Sequence, residues 1–141
     1  MYSRIVVGTD GTDRSLIAVD HAARLAAACS AELHVVAAAS PGGGGGNPAT
    51  VTAIAHISGA SARTAAKIGH DAGKRHGVRA IEHPQFGDPT SVLLAVADSI
   101  DADLIVVGNK SMTGRSGKFA GSVPGGLAHQ SRRPILIVHT G

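Results

Sequence analysis

The chain has 141 residues, a formal net charge of +3, hydrophobic residues at 43% and charged residues at 16%. That length suits one compact domain spanning 1–141 and is too short for two full ones. The apolar fraction excludes a disordered chain, and no run approaches the roughly 20 apolar residues that a membrane span needs. Alanine supplies 24 of the apolar residues and Ile, Val and Leu supply 31, against one Tyr, two Phe and no Trp. The core is therefore aliphatic, and the aromatic platforms on which single-stranded nucleic acid stacks are nearly missing, which disfavours nucleic acid as a partner. One cysteine, Cys29, excludes an internal disulfide framework and a multi-cysteine metal site. Met1-Tyr2-Ser3-Arg4 leads straight into Ile5-Val6-Val7, a strand rather than the apolar region of a signal peptide, so the expected compartment is the cytoplasm.

Short aliphatic runs recur at Ile5 to Val7, Leu33 to Val36, Val78 to Ile81, Leu104 to Val107 and Ile135 to Val138. They are rich in Val and Ile and lack strict alternation, as strands buried on both faces of a parallel sheet do. Between the first two, Thr12 or Asp13 can cap a helix on which Leu16, Ile17, Val19, Ala23, Leu25 and Ala26 recur at spacings near 3.6. Next comes Ser40-Pro41-Gly42-Gly43-Gly44-Gly45-Gly46-Asn47-Pro48, which can form neither strand nor stable helix and predicts a flexible connection over about 40–50. A second helix is expected from about Ile57 to His76 on Ala62, Ala65, Ala66, Ile68 and Ala72. A third opens at Asp88-Pro89-Thr90 and carries Val92, Leu93, Val96 and Ile100 on one face. The fourth begins at Ser122-Val123-Pro124 and is weak, because Gly125 and Gly126 each cost about 1 kcal/mol relative to Ala. Strand and helix alternate throughout, which predicts a doubly wound α/β domain with its site beyond the carboxyl ends of the strands.

Two strand ends carry the residues such a site needs. After the first strand, Gly8 and Gly11 allow close backbone approach, Thr9 and Thr12 offer hydroxyls, and Asp10 can accept hydrogen bonds or help hold Mg²⁺ beside phosphates. After the fourth, Val107-Gly108-Asn109-Lys110-Ser111 leads through Gly114 and Gly117 to Gly121-Ser122 at a helix start, where outward-pointing N–H groups and the helix dipole seat phosphate oxygens. No acidic residue follows Asp103, whereas Lys110, Arg115, Lys118, Arg132 and Arg133 do, a charge bias that favours an anionic ligand. A Walker A loop is excluded, since Gly117-Lys118 stands between Met112 and Phe119 where glycine and hydroxyl are required. A dinucleotide fingerprint is excluded as well, with only Gly8 and Gly11 after the first strand.

Val7-Gly8-Thr9-Asp10-Gly11, together with Gly108, two residues, position 111, nine residues and Gly121-Ser122, resembles the universal stress protein family. Nucleotide-binding members of that family have Gly, two residues, Gly, nine residues, Gly and then Ser or Thr. The likeness runs the length of the chain, including the closing Pro134-Ile135-Leu136-Ile137-Val138, and looks closest to the short actinobacterial branch, in which binding of cyclic AMP is known. It implies a flavodoxin-like, Rossmann-like five-stranded parallel sheet of order 3-2-1-4-5 with helices on both faces, usually dimeric and binding an adenine nucleotide, ATP or cyclic AMP. By position, Thr9 and Asp10 would face adenine and ribose, Ala38 or its neighbours would close the base pocket from the second strand, and Val107 and Gly108 would flank the ribose. Ser111, Gly121, Ser122 and Val123 would hold phosphates, with Asn109 inside the same loop and Mg²⁺ at Asp10 when ATP is bound. Position 111 departs from the pattern: where a positive φ is needed Ser is strained by roughly 1–2 kcal/mol, and otherwise its hydroxyl adds a donor. A ligand with one phosphate tolerates a weakened outer seat.

Other functions of the fold fit less well. A phosphorelay receiver needs an acceptor Asp after the third strand and a Lys after the fifth, where this chain has His83-Pro84 and His139-Thr140. A flavin carrier needs aromatics that Tyr2, Phe86 and Phe119 do not supply. The eight histidines, His21, His34, His56, His70, His76, His83, His129 and His139, are scattered, with no pair at helix spacing beside a carboxylate, and are expected as ordinary surface or core side chains. No catalytic residue is evident, so the expectation is a nucleotide-binding sensor, buffer or regulatory module, with a slow ATP-hydrolysing or phosphotransfer enzyme as the alternative. The apolar strand Ile135 to Val138, at a sheet edge, is expected to pair with a second copy in a homodimer.

Overall fold

In a computed structural model, residues 1–39, 62–109 and 122–140 are described. The expected site residues Ser111 and Gly121 and the Gly42 to Gly46 segment lie outside these residues, as do Lys110, Arg115 and Lys118. The elements in chain order are β1 (Arg4–Gly8), α1 (Asp13–Cys29), β2 (Glu32–Ala39), α2 (62–74), β3 (Ala80–Phe86), α3 (Pro89–Ile100), β4 (Leu104–Gly108), α4 (Ser122–Gln130) and β5 (Ile135–Val138). The five strands form one parallel sheet in the order β3-β2-β1-β4-β5. It is the flavodoxin-like, doubly wound arrangement.

The sheet is covered on both faces, which is why its central strands are continuous aliphatic runs. Ile5, Val7, Leu33, Val35, Leu104 and Val106 pack toward α1 and α2, whereas Val6, Val36, Ile105 and Val107 pack toward α3 and α4. The face α1 turns to the sheet is mostly alanine, with Ala18, Ala22, Ala23 and Ala26 fully buried, so the helix axis lies close to the strands and the bulkier Ile17 is left 48% exposed. Thr12 is the N-cap of α1 and accepts a hydrogen bond from the Ser15 amide, and Asp88 caps α3 in the same way through Ser91. Helix α2 approaches more closely still. A Cβ on Gly69 would stand 2.7 Å from Val35 Cγ1, and one on Gly73 would stand 2.8 Å from Leu33 Cδ2.

The third strand departs from its expected place: it begins at Ala80 rather than Val78 and runs on through Glu82, His83, Pro84, Gln85 and Phe86. As an edge strand it can display polar residues and tolerate Pro84, whose missing N–H is not demanded by a neighbour on the open side. The histidines are also less scattered than their spacing suggests. The sheet brings His34 on β2 within 2.8 Å of His83 on β3.

Candidate functional site

In this strand order the winding reverses at β1, which pairs with β2 on one side and β4 on the other, so the crevice above the carboxyl ends of β1 and β4 is where such sheets take ligands. Gly8, Thr9, Asp10 and Gly11 enter it from β1, Val107, Gly108 and Asn109 from β4, Ala38 from β2, and Val123 from the first turn of α4. These nine residues thus lie at one end of the sheet. Ser122 opens α4 at the same end.

Their roles differ. Thr9 is fully buried; its amide donates to the Val36 carbonyl at 2.9 Å, and its hydroxyl lies 2.7 Å from the Ser15 hydroxyl and accepts from the Gly11 amide at 3.0 Å. Thr9 therefore shapes the turn with its side chain. Asp10 is only half-buried, and its Oδ1 accepts from both the amide and the hydroxyl of Thr12, at 3.0 and 2.6 Å. Burial pushes its carboxyl upward, but the bonds from Thr12, with Ser15 and the local backbone, outweigh this and hold the group below its ordinary range, ionised at neutral pH. Gly11 has φ +82°, and a Cβ there would stand 3.1 Å from the backbone of Ala65. Glycine is needed on both counts.

Beside Asp10 is a cavity of about 170 Å³ lined by Thr9, Asp10, Ala37, Ala38, Ala39, Ala62 and Ala65. Five alanines make an apolar slot next to one carboxylate, a chemistry suited to a flat base with a polar neighbour. The contribution of Ala62 and Ala65 was not expected from sequence, where both are simply apolar positions of a helix. On the β4 side, Val107 and Val123 turn their side chains into the core, so they present only backbone to the crevice. Asn109 is engaged with the end of β5: its amide donates to the Val138 carbonyl at 2.9 Å, and its Oδ1 accepts from the Thr140 amide and hydroxyl at 2.8 and 3.1 Å.

Part of the expected positive field lies elsewhere. Arg133 sits at the opposite end of the sheet, paired with Asp98 and, at 3.2 Å, with Asp101, while its Nε donates to the Ala102 carbonyl at 2.6 Å. Arg132 lines a cavity there with Asp98, Asp101 and Asp103. Neither cation reaches the crevice. For Mg²⁺, Asp10 is a suitable hard oxygen ligand, but Oδ1 is already committed to Thr12, so the ion would rest on the other carboxylate oxygen and on the phosphates it accompanies.

A parallel sheet of this order with small residues at its β1 and β4 ends defines a class of doubly wound proteins that take ligands at the strand ends. The family model for the universal stress protein family matches residues 1–139. The chain belongs to that family. Universal stress protein Rv1636 of Mycobacterium tuberculosis is 36% identical to it over 143 residues, covering 99% of this chain and 97% of the relative. Among solved structures, a universal stress protein in complex with cAMP is 36% identical, with a TM-score of 0.75 over 99% of this chain and 98% of that one. Universal stress protein UspA from Lactobacillus plantarum, 17% identical with a TM-score of 0.81 over 98% of each chain, shares the fold.

Proposed function

We infer that the protein binds an adenine nucleotide across the carboxyl ends of β1 and β4 and serves as a sensor, buffer or regulatory module in a stress response, rather than as a fast enzyme. The observation that carries this is the alanine-lined slot of about 170 Å³ beside an ionised Asp10. Its size and apolar walls suit the base, Asp10 suits a ribose hydroxyl donor, and the backbone of Gly108 and of the α4 start suits phosphate. Support also comes from the 36% identical family structure that holds cAMP. Ser111, Gly121, Ser122 and Val123 are the proposed phosphate seat, with Mg²⁺ at Asp10 accompanying ATP.

The reading extends to a single domain over 1–141, a cytoplasmic location and a homodimer through β5. The described residues contain no helix long and apolar enough to cross a membrane. Strand β5 ends the sheet, with Ile137 45% exposed and Ile135 and Leu136 half-buried, an apolar edge of the kind that pairing with a second copy covers.

Titration calorimetry with ATP, AMP and cyclic AMP tests the site. Binding of at least one of them, weakened at least tenfold in Ala39→Leu, whose side chain shares the slot face with Ala62 and Ala65, is the expected result. No heat from any of the three, or unchanged affinity in Ala39→Leu, removes the assignment. Stoichiometric binding without phosphate release distinguishes the sensor from the slow hydrolase, for which release would continue over many turnovers and disappear in Asp10→Ala.

A further inference from the structure

The buried face of α1 is apolar except at Ser15, in its first turn, where it joins Ala18, Val19, Ala22, Ala23 and Ala26. Ser15 is 0% exposed and does not line the slot beside Asp10, yet its hydroxyl meets three residues of the turn between β1 and α1. It donates to the Thr12 carbonyl at 3.0 Å, lies 2.7 Å from the Thr9 hydroxyl and accepts from the Asp10 amide at 3.3 Å. A hydroxyl has one proton and two lone pairs. With that proton given to Thr12, the Thr9 hydroxyl must donate to Ser15, and the Ser15 oxygen is saturated. Thr9 in turn accepts from the Gly11 amide at 3.0 Å, so the direction of every bond in the network is fixed.

Two of these partners build the slot. Through the Asp10 amide, Ser15 fixes the backbone from which the carboxylate projects, and Thr12 then holds that carboxylate by Oδ1. Thr9 stands between the walls. Its amide bonds the Val36 carbonyl of β2 at 2.9 Å, and its methyl abuts α2, where a Cβ added to Gly69 would stand 3.1 Å from it. The strand β2 and the helix α2 are the elements that supply the five alanines of the slot. A side chain that a ligand in the slot does not touch thus sets both the direction of the charge and the spacing of the apolar walls. The Ser15 bond is also among those that hold the Asp10 carboxyl below its ordinary range.

We propose that Ser15 is a positioning residue of the nucleotide site, acting on the ligand only through Asp10 and Thr9. The inference rests on the adenine-nucleotide reading above and adds to it a residue outside the contact surface. In Ser15→Ala the Thr12 carbonyl keeps its helical bond from the Leu16 amide at 3.0 Å, so the start of α1 survives. The Thr9 hydroxyl and the Asp10 amide, by contrast, lose their common acceptor. Unpaired polar groups at a buried position are costly, and the turn must relax to find them partners, carrying the Asp10 carboxylate out of register with the slot.

Calorimetric titration with ATP, AMP and cyclic AMP as a function of pH, beside a carbon-13 resonance titration of the Asp10 carboxyl in the unliganded chain, tests the assignment. Ser15→Ala should bind roughly fivefold more weakly at pH 7. Its Asp10 carboxyl should titrate at a higher pH than in wild type, so that binding is lost earlier as acid is added. Ala26→Gly, a buried change at the far end of α1, lowers stability without touching the turn and should keep the wild-type affinity and pH dependence. Thr9→Val keeps the shape and removes one bond of the network; it should weaken binding in the same direction, less than additively with Ser15→Ala, and it carries the test should Ser15→Ala fold poorly. Equal affinity in Ser15→Ala, an unshifted Asp10 titration, or a loss of affinity matched by Ala26→Gly overturns the proposal. A wild-type chain that takes none of the three nucleotides removes the functional reading instead, and the carboxyl titration then decides by itself whether Ser15 governs Asp10.

Discussion

Two glycines show how a residue's surroundings decide its cost. Gly125 lies within α4, exposed, with nothing among the described residues within 4 Å of the position a Cβ would take. Gly125→Ala is therefore expected to raise stability by about 0.5–1 kcal/mol, the helix-propensity difference alone. Gly69 sits in α2 with the same propensity gain on offer, but its Cβ would stand 2.7 Å from the side chain of Val35, itself fully buried. Overpacking of that kind costs about 1–3 kcal/mol, so Gly69→Ala should be destabilising on balance. Opposite shifts in urea midpoint at constant slope would verify the pair, and a stabilised Gly69→Ala would show that α2 is free to lift from the sheet. Thr12→Ala should cost about 1 kcal/mol by uncapping α1 and removing one of the two bonds Thr12 donates to Asp10, measurable by the same unfolding curves.

At the level of elements, carboxylates and Arg133 tie the amino ends of the strands together, opposite the crevice. Asp103 Oδ2 accepts from the Ser3 and Arg4 amides at 2.6 and 2.9 Å, joining the entry to β4 with the start of β1. These two bonds hold its carboxyl below the ordinary range. A group so depressed contributes stability above its unfolded value near 4, which is lost as pH falls through the folded value. Asp103→Ala should lower stability by about 1 kcal/mol at pH 7, and the difference from wild type should vanish once acid has protonated the wild-type carboxyl. Helix α4 is the weakest element by composition, nine residues containing Gly125 and Gly126, yet Val123 and Leu127 are buried against α3 and the sheet. Packing supplies what propensity withholds. The expectation for β3 failed at its end for a related reason, because an edge strand with Glu82, Pro84 and Gln85 exposed does not carry the aliphatic pattern of strands buried on both faces.

For the molecule as a whole, charge and the β5 edge decide behaviour. His83 is buried enough to disfavour its charged form, so the unfolded chain takes up a proton near pH 6.5 before the folded one does. Stability is thus fully present above that value and declines as pH falls toward the folded value. The melting temperature should drop between pH 7 and pH 5, and His83→Gln should flatten that part of the curve; an unchanged slope in the variant would assign the loss to other groups. Below pH 5 the depressed carboxylates Asp10, Glu32, Asp71 and Asp103 add a further decline with the sign worked out for Asp103. If β5 is the homodimer edge, Ile137→Lys should convert the assembly to monomers by sedimentation at micromolar concentration without loss of the far-ultraviolet dichroism, because Ile137 contributes an exposed face rather than the core.

Much of this protein is legible in its residue order, because the forces concerned act locally or repeat with a fixed period. Runs such as Leu104 to Val107 announce strands covered on both faces, Thr12 and Asp88 mark helix starts, and Gly8 through Gly11 mark a turn where a ligand can approach. The spacing from Gly108 to Ser122 carries the resemblance to the family, and the strand order is what that resemblance implies. Only the folded chain decided what depends on contacts between distant segments. His34 and His83 are 49 residues apart and meet solely because β2 and β3 pair in one register; Ala62 and Ala65 wall the slot at Asp10 because small residues let α2 descend onto β2; and Arg133, at the entry to β5, meets Asp98 and Asp101 at the end of α3, away from the crevice, because β5 lies beside β4 in the sheet. Local preference names the elements, and close packing chooses which of their side chains become neighbours.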